Sequence, residues 1–176
     1  MFDWLTGRRK RDQAFIAEMV RATAAGSNLA SLRSALSTVG VKLPTAPGPE
    51  LVAEAAAGLA HSLLRSTGKG LEDDDVLFTA GLFTFVAANH FSFKIAESFE
   101  QSATLAIAAL VGYSRPDFDR LHEPVVNAYN SMSGAESSPI LGIGKTIARW
   151  AETPSAENHG SLTRLFSFCL EHVGPA

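Results

Sequence analysis

Histidines, a lone cysteine and clustered carboxylates are where chemistry would begin in this chain, and their spacing offers little of it. His61, His90, His122, His159 and His172 stand far apart, and none has a Cys, Asp or Glu at a metal-ligand spacing. His122-Glu123 opens like a zinc-protease helix, but the second histidine of that pattern falls on Val126, and Pro124 interrupts the turn. Glu72-Asp73-Asp74-Asp75 lacks the spaced oxygen ligands and turn glycine of a calcium loop. It lies where a helix would begin, so capping and the helix dipole account for it. Cys169, between Phe168 and Leu170, reads as a small buried hydrophobe in a reducing compartment. No catalytic residue, metal or cofactor is assigned from these groups.

Two other patterns carry more functional content. Residues 76–93 form eighteen consecutive positions without Asp, Glu, Lys or Arg and hold five of the eleven phenylalanines. Phe83, Phe85, His90, Phe91 and Phe93 in this run are the candidate lining of an aromatic ligand pocket. A histidine in such surroundings can ligate haem, but a hydrogen-bonded core histidine has the same setting, and no cofactor is expected. At the amino terminus, Phe2, Trp4 and Leu5 precede Arg8, Arg9, Lys10 and Arg11. Aromatics beside cations suit an anionic membrane surface or a protein partner. Those four basic residues against Asp3 give residues 1–11 a charge of +3, leaving −6 for residues 12–176 of a chain whose total is −3. An acidic body with no second basic patch disfavours nucleic acid.

Gly142-Ile143-Gly144-Lys145-Thr146 matches only the Gly-Lys-Thr end of a phosphate-binding loop. The pattern needs a glycine where Pro139 stands and a buried strand upstream, where the chain reads Gly134-Ala135-Glu136-Ser137-Ser138. Proline has no N–H to offer a phosphate, so a small-residue helix crossing is the expectation.

The elements that must position these residues are helical. Asp12 can cap a helix presenting Phe15, Ile16, Met19 and Val20 and ending at Gly26; a second, with Leu29, Leu32, Leu36 and Val39, closes at Gly40. Three prolines and a glycine in residues 42–49 make a loop that ends with Pro49 opening an alanine-rich helix to Thr67. Further helices are expected over residues 95–112, 114–132 and 139–150, and from the Thr153-Pro154 pair to Gly174. Residues 76–93 read as a central helix, broken near Asn89 and apolar on every side, which belongs inside a bundle. The alternative is α+β, with a small hairpin at 82–95 from the β formers of 82–86 and 91–95. A membrane span has the length, but Thr79, Thr84, Asn89, His90 and Ser92 are dispersed through it.

The expectation is one all-α domain over residues 12–176, a bundle of seven or eight helices around a phenylalanine-rich centre, behind an arm of residues 1–11. The arm is followed by Asp12, Gln13, Glu18 and Arg21, where a secretory signal needs an uninterrupted apolar region of roughly 7–15 residues. A cytoplasmic protein, peripheral to the membrane at most, is expected. The leading functional reading is a non-enzymatic interaction or adaptor module, self-associating or binding a protein partner. The alternative is a small-molecule binder or enzyme using the pocket near His90. The first calls for a filled core and an exposed apolar patch, the second for a cavity with convergent polar groups at His90.

Overall fold

The computed structural model describes residues 24–132 and 139–172, which form seven helices and no strand. They are α1 (24–38), α2 (Pro49–Thr67), α3 (Asp74–Ile95), α4 (Phe99–Leu110), α5 (Arg115–Met132), α6 (Pro139–Glu152) and α7 (Ala156–His172). The all-α bundle is therefore the fold, and the α+β alternative is excluded: 82–86 and 91–95 both lie in one continuous helix. The β formers of 82–86, with Phe91 and Ile95, are tolerated because neighbouring helices bury them, and tertiary burial outweighs strand propensity.

Sequence grammar sets most of the boundaries. Pro49 opens α2, and Gly68, with φ 67°, closes it in the left-handed conformation. The Asp73 carboxylate accepts the N–H groups of Asp75 and Val76 and so caps α3, which is the role expected of the acidic run. Three boundaries differ from expectation. Helix α4 opens at Phe99 and not at Ile95, which ends α3 before Ala96 turns left-handed. The described part of α1 runs through Gly26, Ser27 and Asn28 without a stop. An interior glycine costs a helix only about 1 kcal/mol against alanine, and Asn28 spends its amide on the Lys94 carbonyl at 2.8 Å instead of on a cap. Helix α7 starts at Ala156 and not at Pro154, with the Ser155 hydroxyl accepting the Asn158 N–H.

Helix α3 is the axis of the fold, packed on α2, α4, α5, α6 and α7. It is long and apolar enough to cross a membrane by length and composition, yet most of it is buried in the bundle. From Val76 to Ala88 every residue is buried. Beyond that point one side opens, at Asn89, His90, Phe93 and Lys94. The break expected near Asn89 is absent, because its side chain donates to the Tyr129 hydroxyl on α5 at 2.6 Å and does not compete for its own backbone. Phe85 is buried and Phe99 half-buried, their rings meeting edge to face at 5.3 Å.

Candidate functional site

A helix advances 100° per residue, so closely spaced aromatics on α3 cannot share one cavity. Phe83 faces α7, its ring edge-on to Phe166 at 5.0 Å, while Phe85 faces Phe99 and Tyr129. Phe91 is buried and His90 half-buried, whereas Phe93 is 85% exposed. The five candidate pocket residues therefore radiate around the axis. His90, Phe91 and Phe93 line two cavities.

Two cavities meet at His90. On one side, a cleft of about 150 Å³ lies between α1, α3 and the end of α6. Asn28, Ser31, His90, Lys94 and Glu152 supply its polar wall, and Leu32, Phe91 and Ala151 its apolar one. The Lys94 Nζ donates to Glu152 Oε1 at 2.9 Å, holding the Glu152 carboxyl below its usual range. On the other side, a groove of about 510 Å³ runs between α3, α5 and α6, with Phe93, Tyr129, Ile140 and Leu141 along it and Lys145 at its rim. His90 lines both, and its Nε2 is buried with no hydrogen-bond partner.

The remaining motifs resolve into structure. Gly142, Gly144, Lys145 and Thr146 lie inside α6, where the Thr146 hydroxyl donates to the Gly142 carbonyl and Gly144 faces Val86 of α3. No loop is present there to cradle a phosphate. His122 stacks on Phe118, with centroids 4.9 Å apart. Cys169 is buried, which pushes its thiol up to about 11. Among the described residues no three His, Cys, Asp or Glu side chains gather as metal ligands. Phe2, Trp4, Leu5, Arg8, Arg9, Lys10 and Arg11 lie outside the described residues.

Sequence reasoning missed Asn28, Ser31 and Glu152 on the cleft and Tyr129 and Leu141 on the groove. It also missed the 3.2 Å contact between the Ser62 hydroxyl and His159 Nε2, which bridges α2 and α7. No local signal could have found these. Each depends on which helix faces meet.

His61, His90 and His159 all hold a proton less readily than a free imidazole, and burial is the largest cause at each. At His61 and His90 a nearby cation, Arg65 or Lys94, adds to it. The unfolded chain takes up these protons near pH 6.5, while the folded sites resist. Stability is therefore unaffected well above about pH 6.5 and is lost as pH falls from there through the depressed folded values. The melting temperature is expected to drop between about pH 7.5 and 5.5, and His90→Gln and His159→Gln should each flatten that drop. A profile that is level, or rises toward acid, would show that these imidazoles are not held neutral by the fold.

No protein-family model, curated protein or solved structure matches this chain.

Proposed function

We propose that this protein is a non-enzymatic helical interaction module that self-associates through the groove between α3, α5 and α6, with a second copy as the occupant. The observation that carries this reading is Phe93, 85% exposed on the one open side of the central helix. A lone exposed apolar side chain is ordinary. This one stands beside Leu141, 44% exposed, at the edge of an apolar groove. Burying a phenylalanine of this kind is worth about 1.5–3 kcal/mol.

Knob and hole on the same patch favour a copy of this chain over an unrelated partner. A two-fold interface must be self-complementary, because each copy offers the other the same surface. Here Phe93 of one copy can enter the groove of the next while the reverse contact forms. Gly142 is exposed on α6, and a Cβ built there would meet nothing within 4 Å, so the helix carries no side-chain bulk at that point of its surface. The arm of residues 1–11, with Phe2, Trp4, Leu5 and its four cations, adds a second contact element whose chemistry suits an anionic membrane surface.

Sedimentation velocity across a range of concentrations tests the proposal. Dimer is expected to accumulate by roughly 100 μM, and Phe93→Asp should raise the dissociation constant at least about tenfold, or 1.4 kcal/mol. The variant's melting temperature should stay that of the parent monomer, since Phe93 makes little of the core. A chain that remains monomeric throughout, or a Phe93→Asp variant that dimerises as the parent does, would remove this assignment.

A further inference from the structure

We infer that the cleft between α1, α3 and α6 binds a small zwitterion of amino-acid size, with Lys94 taking its carboxylate, Glu152 its ammonium, and Leu32 and Phe91 its apolar tail.

Charge balance selects this class of ligand. Lys94 and Glu152 form an ion pair at the rim, 2.9 Å apart, with side chains 35% and 61% exposed. An exposed pair of this kind contributes little to stability and is easily opened. A simple anion bound to Lys94 would strand the Glu152 carboxylate, and a simple cation bound to Glu152 would strand the Lys94 ammonium. A zwitterion returns an opposite charge to both. The carboxy-terminal ends of α3 and α6 converge here, and their partial negative charge favours the ammonium. Asn28 contributes to the same end of the cleft: its amide nitrogen already serves the Lys94 carbonyl, which leaves its side-chain oxygen as an acceptor.

Size and polarity narrow the class. A volume of about 150 Å³ accepts a ligand of few heavy atoms, since a dry cavity of about that volume holds benzene. Leu32 and Phe91 are buried and give a short aliphatic tail an apolar surface. His90 lines the cleft with a buried ring nitrogen that has no partner. A buried polar atom left in that state is uncommon and costly.

The test is a nuclear magnetic resonance titration of the full chain with L-leucine and with its two singly charged counterparts, 4-methylpentanoate and isoamylamine. L-leucine is expected to shift the side-chain resonances of Lys94, Glu152 and His90 saturably, with a dissociation constant between about 0.1 and 10 mM. The two counterparts should bind at least about tenfold more weakly, as should L-leucine to Glu152→Gln and to Lys94→Gln. Circular dichroism of both variants should match the parent, because they alter an exposed pair. No saturable shift by roughly 50 mM, equal binding of a singly charged counterpart, or undiminished binding by both variants would overturn the inference. None of these outcomes depends on self-association, which Phe93→Asp tests separately.

Discussion

Trp150→Ala is expected to destabilise the protein by about 3–5 kcal/mol. For a chain of this length that corresponds to a fall in melting temperature of roughly 6–20 °C. Trp150 is the largest fully buried side chain among the described residues, with 0% exposure, and it sits on α6 with its ring 6.5 Å from that of His159 on α7. Truncation would leave a cavity that two helices anchored on α3 cannot collapse without shifting, and the cost grows with the volume left open. One term runs the other way. The Trp150 Nε1 is buried and without a partner, so removing it relieves a desolvation penalty of about 1–3 kcal/mol. Trp150→Phe keeps most of the apolar volume and sheds that nitrogen, and it should cost clearly less than alanine. Thermal melts of both variants decide the matter. A loss under about 3 °C for alanine would place Trp150 outside the core.

Gly81→Leu should destabilise by about 1–3 kcal/mol through overpacking. Gly81 lies where α5 crosses α3, and a Cβ there would stand 2.9 Å from both Leu121 Cδ1 and Val125 Cγ2. Real Cβ atoms do not come so close, so something must move. Gly81→Ala meets the same clash but gains up to about 1 kcal/mol of helix propensity, and it should fall nearer to neutral. The two effects separate in a double-mutant cycle. Val125→Ala destabilises on its own by opening a cavity, and it should cost less in the Gly81→Leu background, where that space is needed. Additive losses would mean that the crossing has slack and that Gly81 is not what sets the approach of α5.

Both predictions rest on contacts between helices, which is also where the sequence stops being legible. Caps and stops could be read because they are local: Pro49, Asp73 and Gly68 act within a turn of themselves. The centrality of α3 could be read because a helix apolar all round has nowhere else to go. That same uniformity hides its orientation. With no polar stripe, nothing indicates which side emerges near its end, and so the sequence does not distinguish Phe93 from Phe83, although one is exposed and the other buried against Phe166. The cleft was out of reach for a related reason. Asn28 meets Lys94 across 66 residues and Lys94 meets Glu152 across 58, and periodicity tells which residues share a face, not which faces meet. Gly26 shows the opposite error, a local stop signal overridden in the folded chain.

The central position of α3 also sets the order in which the chain can close during its own synthesis. Of the helices that meet α3, α1 and α2 precede it, α1 through the hydrogen bond from Asn28 to the Lys94 carbonyl; α4, α5, α6 and α7 follow. At about 5–20 residues per second, the roughly 80 residues that complete its cover take about 4–16 s to leave the ribosome. Helix formation itself is finished within about a microsecond. Through that interval a helix of 22 residues, apolar along most of its length, has only the helices made before it in place and the rest of its surface in water. The face of α3 that carries Phe83 is the last to be covered, when Phe166 arrives with α7.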